Sequence, residues 1–263
     1  MNNYLISIQK EKPSTTKEWF EYHKQLGFSK IIVFNNSTNP YNITDPLYQE
    51  INVSQYDNPQ PKCYQYFYDN EMNDGDTITI LDADEFLITN NLTISDIWNK
   101  FTDALCLRFN WRIYGDNGFV EPDERGVLER FTEPAPVDAV YNDCLPKGIT
   151  ENWHTKYSVK KKGPAQLFIH NAVVQGHTVN MNNKLIAPMM PWSEPCYKGA
   201  YVAHFITKST REFCERRFNG TDACGNKHNY ETLKRFYFNL NRHTEEKEKV
   251  FNEFLKNNNT QLG

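Results

Sequence analysis

The chain is short of positive charge: 29 lysines and arginines stand against 33 aspartates and glutamates, a net charge of −4 over 263 residues. A general nucleic-acid binder needs a basic surplus to neutralise phosphates, so that class is set aside. No stretch approaches the roughly 18 apolar residues that a membrane-spanning helix requires. The segment Met1–Ile8 has no basic run and only a brief apolar one, so it reads as a first β-strand and not as an export signal. Cys63, Cys106, Cys144, Cys196, Cys214 and Cys224 form no Cys-x-x-Cys pair, which argues against a zinc site or a disulfide framework. Also missing are a G-x-x-x-x-G-K-[ST] loop, a G-x-G-x-x-G fingerprint and a D-x-D-x-T nucleophile motif after the first strand. Together these absences describe a protein with reduced thiols, expected in the cytoplasm.

What is present supports a folded α/β chain. Apolar residues make up 39% and charged residues 24%, enough to bury a core. Aromatics reach 14%, which suits core packing first and ring stacking second. The run Trp19, Phe20, Tyr22, His23, Leu26 has helical spacing, with Ser14–Thr16 as cap candidates and Gly27 as its stop. Strands are expected at 4–8, at 30–34, at 50–54 and at 77–81, with a helix from Pro61 to about Met72. That β-α-β-α-β order implies a parallel sheet whose strand ends share one edge, where ligands bind. Thr93-Ile94-Ser95-Asp96 has the form of a capping box, and Ala104–Trp111 reads as a strand. From Val127 to about Phe205 short strand-like pieces alternate with Pro, Gly and Asn, and the tail reads as helices over 209–218 and from Tyr230 to about Leu255, with Asn257–Asn259 fraying. The Lys160-Lys161-Lys162 run reads as a solvated turn, with a membrane surface as its alternative use.

The chemistry concentrates in Leu81-Asp82-Ala83-Asp84-Glu85-Phe86-Leu87. Two aspartates one residue apart, where a buried strand emerges, offer hard carboxylate oxygens to Mn²⁺ or Mg²⁺, whose shell phosphates and waters complete. Asn35, Asn36 and Ser37 end the second strand, where a base or ribose can be hydrogen-bonded, and the loop Gln9–Lys12 is expected beside them. Arg112 is a candidate for a phosphate or an acceptor carboxylate.

These residues carry a resemblance. Glu18-Trp19-Phe20-Glu21-Tyr22-His23 with Gly27, Ile32-Val33-Phe34-Asn35-Asn36-Ser37, Asp82-Ala83-Asp84-Glu85-Phe86, Asn110-Trp111-Arg112-Ile113-Tyr114-Gly115 and Ala203-His204-Phe205-Ile206-Thr207-Lys208-Ser209 are similar, in order and interval, to segments of bacterial family-2-like glycosyltransferases akin to the family 92 (DUF23-type) enzymes. Tyr114 stands where that pattern has Phe. The resemblance implies one GT-A-type domain, Rossmann-like with a mostly parallel central sheet, a mixed or antiparallel C-terminal half and C-terminal helices. Residues 1–115 would bind the nucleotide sugar and 116–263 the acceptor. It implies a nucleotide-sugar donor, a divalent metal and a role in building surface polysaccharide; the expected donor is a UDP-sugar, and the expected acceptor a glycan or lipid-linked saccharide reached by peripheral association with the inner membrane face. By the same resemblance Asp84 binds the metal directly, and Asp82 meets the donor's ribose or the metal through water. His204 closes the metal shell, Lys208 neutralises the departing diphosphate, and Glu85 orients the pair or faces the acceptor.

Inverting transfer needs a general base for the acceptor hydroxyl. Asp116 is the best-placed candidate, followed by Glu121, Glu151 and Glu194, with His154, His170 and His177 as unranked alternatives. Two other readings stay open: a metal-dependent phosphotransferase or nuclease using the same acidic pair, and a non-catalytic carbohydrate-binding scaffold.

Overall fold

In the computed structural model, residues 1–136, 149–218 and 229–259 are described. Cys144 and Cys224, and part of the stretch expected as short strands, lie outside them. The chain forms two compact units, Met1–Arg112 with Asn152–His204, and Ile113–Glu151 with Phe205–Gly263.

The first unit carries β1 (Asn3–Gln9), α1 (Pro13–Lys24), β2 (Lys30–Asn35), β3 (Tyr48–Asn52), α2 (Gln60–Asn70), β4 (Thr77–Ile80), β5 (Glu85–Ile88), α3 (Ile94–Lys100) and β6 (Ala104–Ile113). After the excursion into the second unit come β7 (Thr155–Lys160), β8 (Ala165–Leu167), β9 (Ala172–Val174), β10 (His177–Asn180) and β11 (Tyr201–His204). Among the described residues, nine strands join one sheet in the order β3-β2-β1-β4-β7-β6-β11-β5, with β10 added on β6. β3, β2, β1 and β4 are mutually parallel, whereas β4–β7, β6–β7 and β5–β11 pair antiparallel. The α/β class, with a parallel first part and a mixed second part, is therefore as the sequence leads one to expect.

Alternation along β1 explains the layers. Tyr4, Ile6 and Ile8 pack into a core with Tyr64, Phe67 and Tyr68 of α2, while Asn3 on the other face bonds Ser95 of α3 (2.8 Å). Trp19, Phe20 and His23 are fully buried, so the apolar stripe of α1 is core. Around Thr93 the capping box is complete, its hydroxyl accepting from Asp96 N while the Asp96 carboxylate accepts from Thr93 N.

Several local expectations need correction. Ser14–Thr16 do not cap α1. Helix α1 begins at Pro13, whose fixed φ and missing N–H suit a first helical position, and Lys12 stands at the N-cap without a side-chain bond. The third strand lies two residues earlier than expected. The lysine run is not a solvated turn throughout. Lys160 ends β7 with its ammonium 4.8 Å from the Trp98 ring centroid, and Lys161 donates to the carbonyls of Tyr68 and Asp69.

The second unit holds α4 (Val127–Arg130), α5 (Thr210–Phe218), α6 (Tyr230–Leu240) and α7 (Glu245–Asn259). Val127–Arg130 is thus a helical turn where a strand piece was expected. Phe213, Leu233, Phe236, Tyr237, Leu240, Val250 and Phe251 form its core. The single tail helix expected from Tyr230 is two helices. Asn241 takes extended dihedrals (φ −136°, ψ 151°), and its side chain bonds Tyr237 O and Asp116 N. Thr244 then starts α7 by accepting Glu248 N at its carbonyl. α7 is helical through Asn259.

Candidate functional site

The parallel strands deliver their carboxyl ends to one edge of the first unit. Gln9 pairs with Asn35 there, Asn36 N donates to Gln9 O (2.7 Å), and Leu81 N donates to Ile6 O (3.1 Å). The chain leaving β4 turns within Asp82–Glu85. Glu85 N donates to Asp82 O (3.1 Å), and Asp82 N returns a bond to the Glu85 carboxylate (2.7 Å). This reciprocal closure holds the two aspartates in place before β5 begins.

The three carboxylates meet different surroundings. Asp82 is half-buried; its Oδ1 accepts from Gln60 Nε2 (3.0 Å) and its Oδ2 from Lys156 Nζ (2.7 Å). Glu85 is fully buried, 3.5 Å from the same ammonium. Burial pushes its carboxyl up to about 8, with Lys156 opposing and the neighbouring Asp82 and Asp84 adding to the rise. Lys156 is itself 0% exposed, and although burial acts against its charged form, Asp82 and Glu85 hold its ammonium above the ordinary lysine range.

Asp84 is 2% exposed and faces His204, whose Nε2 stands 3.6 Å from Asp84 Oδ2. The pairing of β5 with β11 makes this meeting, because it sets His204 opposite Glu85. The His204 ring packs on Trp111 (centroids 4.2 Å), which also touches His154 (5.0 Å) and His170 (5.2 Å). Burial lowers the His154 imidazole to about 4, helped by His204 and Lys156 nearby, and burial likewise lowers His170 well below the ordinary histidine value.

The Asn35–Ser37 loop is tied to itself. Asn35 Nδ2 donates to Asn39 O and Glu50 Oε1, and its Oδ1 accepts from the Ser37 amide and hydroxyl. Asn36 keeps a half-buried side chain beside it. Gln9 is the more telling neighbour: 2% exposed, it has neither amide nitrogen nor oxygen bonded among the described residues. A buried primary amide left that way costs free energy unless something completes it. Arg112 is half-buried, its guanidinium 5.1 Å from the Tyr197 ring centroid.

Asp116 and Lys208 belong to the second unit. Asp116 is 3% exposed, with Oδ1 accepting Gly118 N and Oδ2 held by Tyr237 Oη and the Lys247 ammonium. Lys208 is buried with a positive φ of 49°. Of the other base candidates, Glu121 pairs with Arg211, Glu194 with Lys184, Glu151 is buried and His177 is exposed on β10. Sequence reasoning missed Lys156 and Gln60. Lys156 sits within the strand Thr155–Lys160, and its sequence neighbours carry no mark of its pairing with Asp82.

A small divalent cation fits the Asp84–His204 pair. Adjacent ligands of a six-coordinate Mn²⁺ or Mg²⁺ lie about 3 Å apart, so a 3.6 Å gap allows one ion to reach both. Carboxylate plus imidazole favours Mn²⁺ over Mg²⁺. Among the described residues no group of three or more His, Cys, Asp or Glu side chains is placed to hold an ion. Substrate oxygens and water can supply further ligands.

No family model and no curated protein matches the chain. Among solved structures, the crystal structure of S. aureus TarS 1–349 is similar at 12% identity and a TM-score of 0.39, over 97% of this chain and 71% of that one. At that level the fold rests on this chain's own strand pairings, and the function on its own residues. No helix among the described residues is long and apolar enough to cross a membrane.

Proposed function

We propose that the chain is a metal-dependent glycosyltransferase that moves a sugar from a nucleoside-diphosphate donor, a UDP-sugar first, to a glycan or lipid-linked acceptor. The observation that carries this reading is the Asp84–His204 pair, held beside a tethered Asp82 where parallel strands end. Bound there, Mn²⁺ or Mg²⁺ supplies charge stabilisation for the leaving diphosphate. Asp84 and His204 hold it. Asp82, fixed by Lys156 and Gln60, presents its half-exposed carboxylate to the donor's ribose.

Gln9 offers two N–H donors and a carbonyl acceptor from its buried amide, and one of each is the complement of a pyrimidine edge. Asn36 lies next to it, and the internally bonded Asn35 and Ser37 shape the loop. Glu85 orients Asp82 through the backbone amide and does not face an acceptor, because it is fully buried. Arg112 is the candidate for a donor phosphate in the first unit, and Lys208 that in the second. Asp116 remains the proposed base only by its place just after the Asn110–Gly115 segment, since three groups already occupy its carboxylate.

UDP release from a panel of UDP-sugars with Mn²⁺ tests the reading, with Asp84→Ala as control. No turnover and no metal-dependent nucleotide binding across UDP-, GDP- and CMP-donors would sink it. Undiminished turnover in Asp84→Ala would remove the assigned metal role.

A further inference from the structure

Asp82 and Asp84 look interchangeable as metal ligands in the sequence, and their surroundings separate them. Both oxygens of Asp82 are engaged, Oδ1 by Gln60 at 3.0 Å and Oδ2 by Lys156 at 2.7 Å. The lysine reaches Asp82 from β7, the antiparallel neighbour of β4. Its ammonium is 0% exposed, lies 3.5 Å from Glu85 Oε2 and donates to Ile169 O at 3.3 Å. A metal ion that took Asp82 as a ligand would draw the carboxylate's charge away from this buried ammonium and set a second cation close to it, and a buried charge left poorly compensated is strongly disfavoured. The same ammonium acts electrostatically on Asp84, and so repels a second cation nearby.

We infer that Lys156 is a built-in counter-cation that withdraws Asp82 from metal coordination, so that among the described residues Asp84 and His204 capture the ion and capture depends on the nucleotide diphosphate. The inference rests on the transfer reading above and specifies how its site loads. Lys156 is a positioning residue: it touches Asp82, not the reacting atoms. Two protein ligands beside a fixed positive charge make a weak site for Mn²⁺ alone. A diphosphate brings both the missing oxygens and the negative charge that outweighs the ammonium. Coupling of this kind is reciprocal, so Mn²⁺ must tighten UDP binding by the same factor.

Mn²⁺ binding to the folded protein, followed by the electron paramagnetic resonance signal of free Mn²⁺, tests this without turnover. Wild type is expected to bind Mn²⁺ at least about tenfold more tightly with UDP than without it. Lys156→Gln, its fold checked by circular dichroism, is expected to bind Mn²⁺ without nucleotide at least about tenfold more tightly than wild type, as Asp82 is released and the repulsion removed. A lysine with a purely structural role would not raise metal affinity when removed. Equal affinity of wild type with and without UDP overturns the inference, and so does an unchanged or weaker affinity in folded Lys156→Gln. If that variant does not fold, Lys156→Met, which keeps the aliphatic stem and removes the charge, takes its place with the same expected and overturning outcomes. Failure of the transfer reading looks different: no UDP is released from any UDP-sugar, while Mn²⁺ affinity still responds to Lys156. No Mn²⁺ binding by either protein, with or without UDP, overturns both.

Discussion

The imidazole of His204 stands 3.6 Å from the carboxylate of Asp84, a contact made only because β11 runs antiparallel to β5 and sets His204 opposite Glu85. If the pair holds the ion, each half is needed. Asp84→Asn keeps the shape of the side chain and removes its charge. It is expected to lower Mn²⁺-dependent UDP release by at least about a hundredfold, since the metal contributes several kcal/mol to stabilising the leaving group. His204→Ala is expected to raise the Mn²⁺ concentration needed for half-maximal activity by roughly tenfold or more. Initial rates across a Mn²⁺ titration check both, and a His204→Ala curve that overlays wild type would remove His204 from the site.

His23 makes stability depend on pH. Its Nδ1–H donates to Trp19 O (2.8 Å) and its Nε2 accepts from Leu87 N (3.2 Å), so the buried ring is neutral, and a second ring proton would oppose the Leu87 amide. Burial lowers it to about 3 from an ordinary 6.5. A depressed folded-state value means the unfolded chain binds the extra proton first. The stabilising contribution is therefore complete above pH 6.5 and lost as pH falls towards 3, at about 1.4 kcal/mol per unit within that window. His154 and His170 act in the same direction. Urea unfolding at several pH values from 7 to 4, on wild type and His23→Gln, isolates the one-proton difference. Identical slopes in the two proteins would show that His23 is protonated in the fold.

Much of the donor-side scaffold is legible in the sequence because its signals are local. β1, β2 and β4 are compact apolar runs, and Thr93 and Asp96 announce their helix across a single turn. The acidic motif shows itself because both aspartates follow one strand. What stays hidden depends on partners distant in the chain. Lys156 becomes part of the site only through strand pairing, and nothing about Thr155–Val159 marks its lysine as buried against Asp82. Asn35 reads as a ligand-binding loop residue until its bond to Glu50 of β3 shows it tying the loop down. The break between α6 and α7 depends on Asn241 exchanging its helical bonds for one to Asp116.

The capping box of α3 gives a test that leaves the site untouched. Thr93→Ala removes the acceptor for Asp96 N and a hydroxyl partner of the Asp96 carboxylate. The expected loss is about 1 kcal/mol of unfolding free energy, with UDP release unchanged under native conditions. Chemical denaturation and initial rates measure the two outcomes separately.

Asp116 can be assigned by asking what its charge does for the fold. Its carboxylate faces Tyr237 Oη and the ammonium of Lys247, which is 2% exposed, so Asp116→Asn would leave a buried cation without its counter-charge. Breaking such a pair from one side costs about 3 kcal/mol or more, while replacing both partners with apolar or neutral groups costs much less. Asp116→Asn is therefore expected to destabilise the protein strongly, and Asp116→Asn combined with Lys247→Met to recover most of the loss. A double-mutant cycle of unfolding free energies measures the coupling directly. A structural carboxylate predicts large coupling, with activity falling only in step with the folded fraction. Small coupling together with a fall in UDP-sugar turnover of more than about a hundredfold in folded Asp116→Asn would instead place Asp116 in the chemistry, as the base for the acceptor hydroxyl.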